Sequence, residues 1–133
     1  MSDPSASELL RLSQQLLDSV DHQDWQTYSE LCDETLTAYE PEAVGNLVAG
    51  MDFHQFYFKL EGAGRPKQST IASPNVRIMG DAAVVTYVRL VQRVDDNGHS
   101  STLAFEETRV WERQNGTWQH VHFHRSACGI AQL

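Results

Sequence analysis

Three arginines stand among large apolar side chains in the second half of the sequence: Arg89 in Tyr87-Val88-Arg89-Leu90, Arg109 in Thr108-Arg109-Val110-Trp111, and Arg125 in Phe123-His124-Arg125. A guanidinium stays charged at any working pH, and burying one without a partner is very costly, so inward-facing arginines must meet carboxylates or bind an anion. Glu40, Glu42 and Glu107 are the candidate internal partners. Both outcomes, structural salt bridges and an anion pocket, stay open on the pattern alone. His54, which follows Asp52, can serve with Tyr28 as a general acid/base pair in a cleft. Equally, both are amphipathic residues whose polar tips reach solvent or a backbone group. His120, His122 and His124 alternate with other residues on one strand, which puts three imidazoles on one face, an arrangement that zinc enzymes use. No carboxylate stands ready to orient them, and successive same-face residues of one strand rarely converge on one ion. The expectation is a packed or interfacial histidine row with no metal. Gly-rich phosphate loops, a nucleophile elbow and paired-cysteine zinc motifs are absent from the sequence, and no cofactor is expected.

The arginines belong to strands. Asn115-Gly116 sits between two runs rich in Val, Trp, Phe and Thr, and both central positions of a tight hairpin turn need positive φ, which Asn and Gly adopt at least cost. Alternation puts Glu107, Arg109 and Trp111 on one face of the first strand. In the second, Val121, Phe123 and Arg125 lie opposite the three histidines. Four strands are expected in all, at about Thr70–Met79, Ala82–Val94, Ser101–Arg113 and Thr117–Ser126, joined by short turns and so an antiparallel meander. Ahead of them, Ser5 and Glu8 form a capping-box pattern before Leu9, Leu12, Leu16 and Val20, which predicts a helix from about Ser7 to His22. Asp24 or Asp21 can cap a second helix with Trp25, Tyr28, Leu31 and Cys32 on one face. Leu36 to Tyr39 reads as a short strand ended by Pro41, and Met51 to Lys59 as a third helix. The turn residues of Glu61 to Lys67 divide a helical half from a sheet half. The expected architecture is α+β: a curled antiparallel sheet with the N-terminal helices on its concave face and a pocket between.

A chain of 133 residues suits one domain, long enough to bury roughly two-thirds of its unfolded surface without staples. Net charge of −8 argues against nucleic-acid or anionic-membrane partners. Residues 1–61 hold 12 acidic against 2 basic side chains, and residues 62–133 hold 6 against 8, which fits either solvated acids on the helical half or an acidic helical surface that meets a more basic sheet, within a subunit or between subunits. No apolar run is long enough for a membrane span, and MSDPSASE has neither the basic nor the apolar region of a secretory signal. A cytoplasmic protein is therefore expected, with Cys32 and Cys128 as free thiols.

The strings TAYEPEAVGNLVAGMDFHQFYF (Thr37 to Phe58), TYVRL (Thr86 to Leu90), EETRVW (Glu106 to Trp111) and WQHVHFHRS (Trp118 to Ser126) closely resemble the association, or hub, domain of calcium/calmodulin-dependent protein kinase II. The resemblance runs from about Ser7 to Ser126. It implies the cone-shaped fold shared with nuclear transport factor 2, the SnoaL-like cyclases and ketosteroid isomerase. It also implies self-assembly into a homodimer or higher ring, and a cavity lined by Tyr28, His54, Arg89, Arg109 and Arg125 that can hold a small carboxylate. The sequence ahead of Ser7 contains no kinase or calmodulin-binding segment, and Lys59 to Lys67 is shorter than in the animal kinases, so kinase activity is not carried over. The rival reading, within the same superfold, is an isomerase, dehydratase or hydrolase using His54, Tyr28 or Glu40 as acid/base.

Overall fold

The computed structural model describes residues 4–60 and 66–129. Three helices, α1 (Pro4–Asp21), α2 (Trp25–Leu31) and α3 (Asp52–Phe58), accompany six strands: β1 (Cys32–Tyr39), β2 (Val48–Ala49), β3 (Lys67–Met79), β4 (Ala82–Val94), β5 (Ser100–Gln114) and β6 (Thr117–Ala127). The strands form one open sheet in the order β2-β1-β6-β5-β4-β3. From β3 to β6 it is the expected antiparallel meander. Asn115 and Gly116 have φ of 52° and 81°, as the tight turn requires. No described helix is long and apolar enough to cross a membrane.

The first helix begins earlier than the capping pattern predicts. Pro4 occupies its first turn, where a missing N–H costs nothing, and Ser5, already inside the helix, accepts at Oγ from Arg113 Nη2 at 3.3 Å. Leu9, Ser13, Leu16 and Leu17 make its buried face. The second helix is capped by Asp24, not Asp21: its carboxylate accepts from Thr27 N at 3.2 Å and from Thr27 Oγ1 at 2.6 Å. Cys32 is extended and starts β1, so it leaves the helical face on which spacing placed it.

Strand β1 is twice the expected Leu36–Tyr39 and pairs in parallel with β6, which makes the sheet mixed. Its register shifts between Cys32 and Thr37. Asp33 accounts for that, since it turns back onto Thr35 N at 2.8 Å and Thr35 Oγ1 at 2.6 Å, a local bond that competes with the ladder. Pro41 opens a single 3₁₀ turn, Pro41–Ala43, ahead of β2. Most of the Glu61 to Lys67 turn lies outside the described residues; Lys67 opens β3.

One expectation about faces is corrected. Opposite Val110 and Trp111 the β5–β6 register slips by one residue, so Trp111 faces His120 while Val110 faces His122. The extra residue is Val121, and a bulge of this kind turns every earlier side chain to the other face. His120 is therefore fully buried inside with Trp111 and Phe123, whereas His122 and His124 remain outside beside Tyr39. The three histidines do not share a face. Among the described residues, no group of His, Cys, Asp and Glu is arranged to hold a metal. Cys32 is buried and Cys128 exposed, both as free thiols.

Candidate functional site

The helices rest on the inner face of the sheet and leave a cavity of about 490 Å³, within the range usual for small-molecule sites. Tyr28, His54, Arg89, Arg109 and Arg125 all line it. Each comes from a different element. The α2 helix supplies Tyr28 and α3 supplies His54, while neighbouring strands β4, β5 and β6 supply the arginines. Glu40, which follows β1, and Glu42, in the 3₁₀ turn, face them, and Phe58, Phe105 and Phe123 provide apolar walls.

The arginines are partnered unequally. Arg89 donates from Nη2 to Asp21 at 2.9 Å, from Nε to Ser69 Oγ at 2.8 Å, and from Nη1 to Glu107 at 3.5 Å. Arg109 donates from Nη2 to Glu107 at 3.0 Å, from Nε to the Tyr87 hydroxyl at 2.7 Å, and from Nη1 to His120 Nε2 at 3.3 Å, with its carbon 4.6 Å from the Phe123 ring centre. Tyr87 in turn donates to Glu107 at 2.6 Å. Burial alone would raise the Glu107 carboxyl, but Arg109 and Arg89 outweigh it and hold Glu107 below the usual carboxylate range. Arg125 is the open one. It bonds Glu42, lies over the Phe105 ring at 4.9 Å, and keeps Glu40 4.0 Å away.

Of the partners expected from sequence, Glu107, Glu42 and Glu40 are all in place. Asp21, Ser69, Tyr87 and His120 were not foreseen as parts of this network. Tyr87 was legible, since it shares a strand face with Arg89. Asp21 and Ser69 come from α1 and β3, which no local spacing links to Arg89, and His120 reaches the interior only through the bulge.

His54 is buried and neutral: burial, then the charge of Arg109, lowers it from 6.5 to about 4. Its Nδ1 lies 3.7 Å from Glu40, too far for a hydrogen bond and, with the ring neutral, no ion pair. Its Nε2 is buried without a hydrogen-bond partner among the described residues. Glu40 moves the other way. Burial and the neighbouring Glu42 raise it from 4.5 to about 7, against the pull of Arg125 and Arg109. Tyr28 stays a neutral phenol, pushed well above its usual value by burial and by Cys32, and packs at a tilt against His54 and Phe58. Burial likewise pushes the Cys32 thiol up to about 12. A permanently charged Arg109 makes His120 Nε2 an acceptor, so the His120 proton sits on Nδ1, 3.4 Å from Cys32 Sγ. Chemically, the cavity offers cationic hydrogen-bond donors, one titratable carboxyl and aromatic walls, which suits an organic anion better than a neutral substrate.

The family description "calcium/calmodulin dependent protein kinase II association domain" matches residues 5–129. The chain belongs to that family. This association domain is 48% identical over 122 residues to the calcium/calmodulin-dependent protein kinase type II subunit delta of Oryctolagus cuniculus, covering 90% of this chain and 23% of that protein. It spans about a quarter of the length of the curated relatives it matches. A solved hub homology domain from Chlamydomonas reinhardtii superposes with a TM-score of 0.88 at 44% identity, covering 94% of this chain and 99% of that one. A nuclear transport factor 2-like protein from Salmonella enterica, 22% identical with a TM-score of 0.78 over 96% of this chain and 93% of that one, shows the same α+β fold. The association domain thus has the fold of that nuclear transport factor 2-like protein.

Proposed function

We propose that this association domain assembles with copies of itself, as a dimer or a higher ring, and that each subunit's cavity binds a small carboxylate. The assembly half rests on family membership across residues 5–129. The outer sheet face is suited to it: Val84, Val88, Leu90 and Val110 stay half-buried there, with Tyr39 exposed beside them. A single subunit is 15.0 kDa, so light scattering at micromolar concentration should return a multiple of that mass; a monomer mass overturns this half. A single domain over the whole chain, acting in the cytoplasm, is part of the same reading.

The carboxylate half is carried by one observation: Arg125 opens into the cavity beside aromatic walls, partnered on one side by Glu42. A planar fork with free donors matches a carboxylate. Thermal-shift measurements with butanoate and benzoate should show stabilisation, by about 2.7 kcal/mol at a hundred times the dissociation constant. Absence of any shift with either anion up to tens of millimolar overturns it. Acid/base catalysis by Tyr28, His54 or Glu40 is the lesser reading, because Arg109 and Arg125 suit holding charge and the His54–Glu40 gap of 3.7 Å provides no hydrogen-bonded relay.

A further inference from the structure

The two ends of the cavity differ in how their cations are matched. Arg89 and Arg109 are engaged from behind by Asp21, Glu107, Tyr87 and His120. Arg125, the most exposed of the three, stands with two carboxylates, Glu42 bonded to it and Glu40 at 4.0 Å. A ligand carboxylate gripping Arg125 becomes the third around one guanidinium. In a partly dry cavity, three such charges repel strongly unless one of them is neutralised.

Glu42 is not the group to give way, because its direct bond to Arg125 opposes burial and holds its carboxyl low. Glu40 is different. Its side chain is only 10% exposed, and its approaches to His54 and Arg125, at 3.7 and 4.0 Å, are both beyond hydrogen-bond length. The groups facing it are Glu42 from the 3₁₀ turn, Tyr28 from α2, His54 from α3, Arg109 and Glu107 from β5, and Arg125 from β6. Neutral Tyr28 and His54 do nothing to hold its charge. A protonated Glu40 would remove the repulsion and become a donor to the ligand's second oxygen.

We infer that the cavity takes up a carboxylate together with one proton, and that Glu40 is the residue that receives it. The proton comes from solvent: Glu40 carboxylate, ligand carboxylate and a proton combine into a neutral carboxyl hydrogen-bonded to the anion. This rests on the carboxylate reading above. Anion binding is then favoured by acidification even though the ligand itself is ionised throughout. The burial that lifts Glu40 toward neutrality places the effect near physiological pH.

The test is calorimetric titration of the intact protein with benzoate in buffers of different ionisation heat. Wild type should take up a fraction of a proton per site at pH 7, approaching one at pH 8, with affinity falling about tenfold per pH unit above that. Glu40→Gln, a mimic of the protonated form, should bind benzoate with no proton uptake and with an affinity at pH 8 close to that of wild type at pH 6. Binding without uptake in wild type, uptake that persists in Glu40→Gln, or a folded Glu40→Gln that no longer binds overturns the inference while leaving the carboxylate reading standing. No binding by wild type at pH 6 ends both. Should Glu40→Gln not fold, carbon NMR of the glutamate carboxyls decides: saturating benzoate must move one titration midpoint to higher pH, and a set of unmoved midpoints overturns the inference.

Discussion

Replacing Arg109 by Met keeps the volume but leaves Glu107 and Tyr87 facing each other in the interior with one cation fewer. Breaking a buried pair from one side is expensive, so Arg109→Met should lower stability by about 3–5 kcal/mol in urea unfolding. Arg125→Met is different, because its pairing with Glu42 is partly exposed and worth little; under about 1 kcal/mol should be lost. It should nonetheless abolish the thermal shift with benzoate, which makes Arg125 the clean probe of the cavity and Arg109 a poor one. Glu40 acts on stability through pH. Its folded value of about 7 lies above the usual 4.5, so ionising it costs the folded state. The stability it contributes is whole below about pH 4.5 and is lost as pH rises through 7. Glu40→Gln should therefore be more stable than wild type at pH 8, by up to about 3 kcal/mol in urea unfolding, and not at pH 4.5. His54 has the opposite sign: lowered to about 4, it favours the fold above 6.5, and that contribution is lost as pH falls toward 4.

Elements hold these residues at working distance. The α2 helix is only seven residues long and depends on the Asp24 cap, yet it carries Tyr28 into the cavity. Asp24→Ala should cost about 1 kcal/mol, read as a lower urea midpoint at unchanged slope. The β6 bulge is the second device. It lets one strand send His120 inward to Arg109 and, two residues on, His122 outward to Thr37 at 2.7 Å. Strand β3 has its own irregularity, with Ser73 at φ 50° followed by Pro74, and this is tolerable because β3 is the sheet's edge.

At the scale of the molecule, the outward histidines bear on assembly. His122 is lowered by partial burial and by His124, and both lie against Tyr39 on the outer face proposed for self-association. Charging His122 inside an interface would place an unpaired cation there. Light scattering should then show the assembly loosening between about pH 6.5 and 5, and an assembly of unchanged mass at pH 5 would place His122 and His124 outside the contact.

The order of the helices and the meander strands and the tight Asn115-Gly116 turn were readable from residues alone, because each rests on local periodicity or on one turn's backbone demand; alternation set Arg89 and Arg109 among apolar side chains but left open which face points inward, since both faces of β4 are apolar. The family resemblance to the association domain was equally a property of the string. Three features were decided only in three dimensions. Asp21 meets Arg89 across 68 positions of chain, and nothing in the neighbourhood of either residue encodes that meeting. The parallel pairing of β1 with β6 joins strands whose partner choice depends on the whole sheet's order. The burial of His120 hangs on a single inserted residue, since strict alternation has no means of registering a bulge that the opposing strand imposes.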